Sequence, residues 1–220
     1  MDSKYKNETK FLGLYLTEDV TWDVHIKHVC DILNKNYYVI HLLKNITSIN
    51  TFRSIHFANF HSHLGYGILF WGGDSQHTKV FKLQKKVVRL ICNVKRKTSC
   101  RDLFRTLNIL PVPCVYIKET VYYIKVNNEG LKQNLAIHDY ETRHRSDFQT
   151  QFCKTYIFKK SVINLGTKLH NKIPNYLKNL ENLKPFYYNR PSIQWMNTYP
   201  ICRHPEREFY RKVWYWQSNY

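Results

Sequence analysis

The chain has 220 residues, 43% hydrophobic and 15% aromatic, and its 34 Lys and Arg against 16 Asp and Glu give a formal net charge of +18. This length carries one sizeable domain or two small ones with a real core, and the aromatic content excludes a disordered chain. No apolar run reaches the roughly 20 residues that span a bilayer, and the polar stretch Met1 to Lys6 lacks the apolar core of a signal peptide. The expectation is an intracellular protein, cytoplasmic or nuclear, with no membrane partner.

In chain order, Lys10–Leu16 reads as a short strand and Thr17–Val20 as a turn. Thr21 is placed to cap a helix whose apolar positions, Trp22, Ile26, Val29, Leu33, Tyr37, Ile40 and Leu43, keep 3-and-4 spacing. Ser48 caps a second helix, with Ile46 near a staple position, whose stripe uses Phe52, Ile55, Asn59 or Phe60, and Leu64. Gly65, Gly67 and Gly72-Gly73 loosen that helix and end it.

Lys79–Cys92 follows as a basic amphipathic helix. At 100° per residue, Val80, Leu83, Val87, Leu90 and Ile91 share one side, flanked by Val88 and Phe81. Lys79, Lys82, Lys85, Lys86 and Arg89 share the other. The loop Asn93–Thr98 carries Lys95, Arg96 and Lys97, and Ser99 caps a short helix through Leu107 that adds Arg101 and Arg105. From Lys79 to Arg105 there are ten basic residues and one acid, Asp102. A helix of this kind buries one face and offers the other to a polyanion, so nucleic acid is the first partner to consider.

Pro111 and Pro113 then interrupt the chain before a tyrosine-rich helix, Val115–Val126. Asn127–Gln151 is polar and irregular, as expected of a linker. Thr155–Ile163 reads as extended and Gly166–Leu177 as helical around Pro174, and Pro185–Tyr220 shows no secure periodicity.

The charge has a second source. Two alanines (Ala58 and Ala136) beside abundant Asn, Lys, Tyr, Ile and Phe reflect A/T-rich codons, which inflate lysine but do not explain the arginines. Six cysteines (Cys30, Cys92, Cys100, Cys114, Cys153, Cys202) contain no C-x-x-C pair, and His61-x-His63 and Cys202-x-His204 have no matching second pair. Buried thiols and ordinary histidines, with no metal, are expected. Trp71-Gly72-Gly73 reads as a helix terminus with a buried anchor, or else as an aromatic platform for a base. Gly65-x-Gly67 lacks the spacing of a phosphate loop and reads as a bend device. Arg143-His144-Arg145 is either a phosphate contact or a solvated linker, and Tyr116, Tyr122 and Tyr123 are expected to pack. No nucleophile sits in a strained glycine turn of the hydrolase kind.

Five signatures occur in one order: Lys10-Phe-Leu-Gly-Leu14 with Trp22-x-x-His25-Ile26; Ser62-His-Leu-Gly-Tyr-Gly67 leading to Trp71-Gly72; Leu83-Gln84-Lys85-Lys86 with Val88-Arg89; Ser99-Cys-Arg-Asp-Leu-Phe104 with Leu107-x-Ile109-Leu110-Pro111; and Gly166-x-Lys168-Leu-His-Asn171-x-Ile-Pro174. Over residues 10–186 the chain resembles the region downstream of the polymerase palm in reverse transcriptases of jockey-like non-LTR retrotransposons. It departs from them at His170, where tryptophan is usual, and in the tail.

The resemblance implies a mainly α fold. Residues 1–20 would be a palm-derived strand and turn, 21–126 a helical thumb-like bundle, 127–186 a small, less regular C-terminal extension and 187–220 a divergent tail. Polymerase chemistry needs paired metals held by carboxylates. No Asp-Asp pair occurs, and Glu18-Asp19, the only adjacent acidic pair, lies in a turn. The chain alone is therefore expected to have no catalytic or metal-binding residues, no cofactor and no small-molecule substrate. What the resemblance implies instead is a grip on RNA or DNA backbone through Lys79, Lys82, Lys85, Lys86, Arg89, Lys95, Arg96, Lys97 and Arg101. The alternative is a retroelement remnant with no specific activity.

Overall fold

The computed structural model describes residues 8–137 and 139–172, so the helix expected past Lys172 around Pro174, Cys202-x-His204 and the 187–220 tail lie outside the described residues. Those described form a mainly α architecture with one small antiparallel sheet, as expected.

The N-terminal strand differs from the sequence reading. It is a hairpin, β1 (Glu8–Phe11) and β2 (Leu14–Thr17), with Phe11 paired to Leu14. Leu12 (φ 45°) and Gly13 (φ 80°) make the turn, whose two left-handed residues match the twist of the flanking strands. Thr21 does not cap the next helix. Its hydroxyl meets that of Thr17 at 2.9 Å and its N–H donates to the same oxygen at 3.0 Å, closing the turn instead.

Helix α1 (Asp23–Leu43) buries Ile26, Val29, Leu33 and Ile40 as its spacing requires, together with His25. Ser48 caps α2 (Ile49–Ile55), accepting the Thr51 N–H at 3.3 Å. A π-helical turn (His56–His61) and α3 (Ser62–Gly65) continue it. The buried residues Phe52, His56, Phe60 and Leu64 recur every fourth position. In an α-helix each such step overshoots a turn by about 40°. The wider π turn reverses that drift, so Phe60 faces inward and Asn59 outward.

Gly67 (φ 62°) ends this rod and sits where a Cβ would lie 2.6 Å from a Leu14 methyl, so the hairpin packs directly on the bend. After the short α4 (Ile68–Trp71) come α5 (His77–Ile91), α6 (Arg101–Thr106) and α7 (Val112–Val126). Helix α7 begins three residues before the expected Val115. Pro111 is its boundary residue and Pro113 lies in the first turn, where no N–H bond is lost. It is buried on nearly every side, against α4, α5 and the later helix Val162–Lys172.

The described part of the expected linker, 127–137 and 139–151, is irregular with one 3-10 turn (Asn134–Ala136). It folds back on itself through Asn134 N–H to Asp147 O and Gln149 N–H to Lys132 O, both 2.9 Å. Asn171 then grips the Phe148 backbone at both its N–H (3.0 Å) and its C=O (2.7 Å). Thr155–Ile163, expected to be extended, instead holds α8 (Tyr156–Lys159) and the start of α9 (Val162–Lys172). Thr155 caps α8 by accepting the Phe158 N–H, and the Ser161 hydroxyl accepts the Asn164 N–H of α9, each at 3.3 Å. These polar caps outweigh the β-branched and aromatic composition that reads as strand.

Candidate nucleic-acid interface

Helix α5 crosses α1 and α7, and its buried arc is rotated from the one the wheel gives. Val80, Phe81, Gln84, Val87, Val88 and Ile91 are buried, whereas Leu83 and Leu90 sit half-buried at its edge. The centre of the arc is a polar residue, Gln84, at 0% exposure. Its amide nitrogen donates to Leu110 O at 2.8 Å and its amide oxygen accepts the Val112 N–H at 2.9 Å. These backbone groups straddle Pro111, which has no N–H, so the Gln84 side chain replaces the partner a strand or helix would have supplied.

On the opposite side Lys79, Lys82 and Lys86 are exposed. The other two cations assigned to this face are partly committed to the fold. Lys85 is half-buried with its ammonium 4.6 Å from the Phe81 ring centroid, and its carbonyl accepts the Cys100 thiol at 3.7 Å. Arg89 is half-buried, and its Nε donates to Thr98 O at 2.9 Å, tying the following loop to the helix.

That loop leaves α5 through a left-handed asparagine. Asn93 (φ 51°) sends its N–H to Leu90 O at 3.2 Å while Val94 N–H reaches Arg89 O at 3.1 Å, the double bond pattern of a Schellman end. Helix α6 ends in the same way, with Asn108 (φ 52°) bonding Arg105 O and Ile109 bonding Phe104 O. Between the two ends Lys95, Arg96 and Lys97 are exposed, and Thr98 N–H closes a turn on Lys95 O at 3.0 Å. Ser99 caps less directly than expected: its hydroxyl accepts the Arg101 N–H at 3.4 Å, one residue ahead of the helix boundary at Cys100. Arg101 is exposed, and Arg105 pairs with Asp102 at 3.8 Å in a solvated i, i+3 contact that contributes little to stability.

Among the described residues, no ion pair joins Lys79, Lys82, Lys86, Lys95, Arg96 or Lys97 to a carboxylate. The aromatic residues of this segment, Phe81 and Phe104, are both buried and stack on each other at 6.2 Å. The surface therefore offers charge to phosphates and no ring to a base.

The remaining candidates divide. Trp71 is fully buried and donates its indole N–H to Tyr66 O at 3.0 Å, which makes it an anchor and not a base platform. Tyr116 packs under Gly72 and Gly73, and burial pushes its phenol up to about 12. Tyr122 and Tyr123 are half-buried. His144 pairs with Asp147 at 2.8 Å and Arg145 with Glu141 at 3.2 Å, while Arg143 is exposed. Among the described residues no group of three His, Cys, Asp or Glu could hold a metal, and no helix is long and apolar enough to cross a membrane.

Sequence reasoning missed three positioning residues. Arg53 donates from Nε to Leu107 O at 2.8 Å, bracing the end of α6, with its guanidinium over Phe57 at 5.3 Å. His25 lies among the rings of Tyr15, Trp22 and Trp71, joining the hairpin to α1 and α4, and burial with the nearby His28 charge lowers it to about 4. His56 stacks on Phe60 at 5.2 Å, and burial, then the charge of His61, lowers it to about 3. Only His25 left a signal, its place in the Trp22-x-x-His25 signature. No family model, no curated protein and no solved structure matches the chain.

Proposed function

We propose that the chain is a non-catalytic nucleic-acid-binding module, the thumb-like part of a jockey-like non-LTR retrotransposon reverse transcriptase, which grips polynucleotide backbone through α5 and the loop after it. The observation that carries this reading is the set of six exposed cations, Lys79, Lys82, Lys86, Lys95, Arg96 and Lys97, on one helix face and the loop at its end. Point charges without a base-reading geometry neutralise phosphates whatever the sequence. Buried packing on the far side of α5, the Gln84 clamp and the Arg89–Thr98 bond hold these cations on an ordered surface.

Six neutralised phosphates give a slope of log K against log salt near −5 on duplex. Filter binding between 50 and 200 mM salt measures it, and a slope near zero contradicts the proposal. Replacing Lys79, Lys82 and Lys86 with Glu removes about three contacts, so the slope falls to about −3 while helicity stays intact. Lys85 and Arg89 are poor choices for this test because both also hold the fold together. A remnant without activity would keep the same melting transition and show no such salt-dependent affinity.

A further inference from the structure

A second cationic surface lies at the other end of the described chain. From Phe148 to Lys172 there are five lysines (Lys154, Lys159, Lys160, Lys168, Lys172) and no acid. Unlike the α5 face, this stretch presents rings to solvent. Phe152 is 86% exposed and Tyr156 62%, and Ile157 and Phe158 are exposed beside them. Lys154 is exposed between the two rings, and the Lys160 ammonium lies 4.5 Å from the Tyr156 centroid.

The segment is held in shape from beneath. Asn164, buried in α9, donates its amide to the Cys153 sulfur at 2.9 Å and to Lys159 O at 3.1 Å, pinning both ends of the turn that carries Tyr156. The Thr155 cap fixes the start of α8. Four residues apart, the two ring-bearing Cα atoms lie within about 14 Å of each other, within the span of a few unstacked nucleotides.

We propose that Phe152, Tyr156 and the lysines Lys154, Lys159 and Lys160 form a binding site for a single-stranded polynucleotide, separate from the α5 face. The rings take unpaired bases and the lysines take the intervening phosphates. Alternating aromatic and cationic groups suit a flexible strand whose bases are free to stack, whereas a ring-free cationic face suits phosphates alone. Fixing the segment beforehand through Asn164 reduces the ordering cost of binding.

The test uses the full 220-residue chain with a labelled 12-nucleotide oligo(dT) strand and a 12-base-pair blunt duplex, followed by fluorescence anisotropy at about 0.1 M salt. Each stacked base contributes about 1–3 kcal/mol, a factor of about 5 to 160. Phe152→Ala with Tyr156→Ala therefore weakens the single strand at least tenfold and the duplex less than twofold. Tyr156→Phe keeps single-strand affinity and Tyr156→Leu loses it, which separates stacking from mere apolar cover. Unchanged oligo(dT) binding in the double variant together with a lowered melting temperature would overturn the proposal, because the rings would then serve the chain's own packing. Equal affinity of Tyr156→Leu and the wild type would overturn it as well. Absence of duplex binding, with ring-dependent oligo(dT) binding retained, would refute the α5 reading and leave this one standing.

Discussion

Replacing Gln84 with leucine keeps the volume of a fully buried polar side chain and removes both of its hydrogen bonds. The Leu110 carbonyl and the Val112 N–H are then buried without partners, at about 1–3 kcal/mol each. Burying an alkyl group where an amide had been returns about 1–2 kcal/mol of transfer free energy. The net loss is about 3 kcal/mol, a large share of the 5–15 kcal/mol typical of a domain, and lowers the melting temperature by about 6–12 °C. Urea unfolding followed by far-UV circular dichroism measures it. Because Gln84 faces away from the α5 cations, duplex affinity at 25 °C stays within about twofold of wild type. Gln84→Glu supplies an internal control. A carboxylate still accepts the Val112 N–H but opposes the Leu110 carbonyl, whereas the protonated acid can donate to it, so this variant regains stability relative to wild type as pH falls. A Gln84→Leu protein within 0.5 kcal/mol of wild type would refute the reasoning, since it would mean that the two backbone groups find water or other partners.

Two further outcomes follow from the packing. In Gly166→Ala the added methyl meets Ile124 Cγ1 at 2.6 Å and Thr120 Cγ2 at 3.0 Å. Overpacking costs about 1–3 kcal/mol against about 1 kcal/mol gained in helix propensity, so thermal melting shows a net loss of order 1 kcal/mol, and a raised melting temperature would contradict the close α7–α9 approach. Burial lowers His25 to about 4, His56 to about 3 and His61 to about 4, from an ordinary 6.5. Between those values the unfolded chain binds more protons than the native one. The stability these neutral rings allow is therefore complete above about pH 6.5 and is lost as pH falls toward 4. His56→Phe makes the urea midpoint less sensitive to pH across that window, and an unchanged pH slope would show that His56 does not titrate on unfolding.

Local spacing carried a good deal of this protein. The stripe from Ile26 to Ile40, the Ser48 cap and the split of α5 into apolar and cationic sides were legible because each depends on neighbours three or four residues away, whereas Trp71 and Tyr116 pack as expected but against distant parts of the chain, His25 and Gly72-Gly73. The cationic residues were legible as a group for the same reason. What spacing could not assign was which of them the fold itself would use: Lys85 lies over Phe81 and Arg89 holds Thr98, and both depend on how the chain returns after α5.

The misread elements share one cause. Lys10–Leu16 reads as one short strand, and the pairing of Phe11 with Leu14 folds it at Leu12-Gly13. Thr155–Ile163 has strand-like composition, and only the Thr155 cap and the grip of Asn164 on Cys153 and Lys159 make it a helical turn leading into α9. Gln84 falls within the apolar side of the wheel, and a polar amide there has no evident partner until Leu110 and Val112 arrive from 26 and 28 residues away. Amphipathic periodicity records which side of an element avoids water, and that is a property of the sequence itself. Which polar group satisfies which buried backbone atom is settled only when distant segments meet, and in this protein such pairings centre α5 on Gln84 and pin the turn that carries Tyr156 to Asn164.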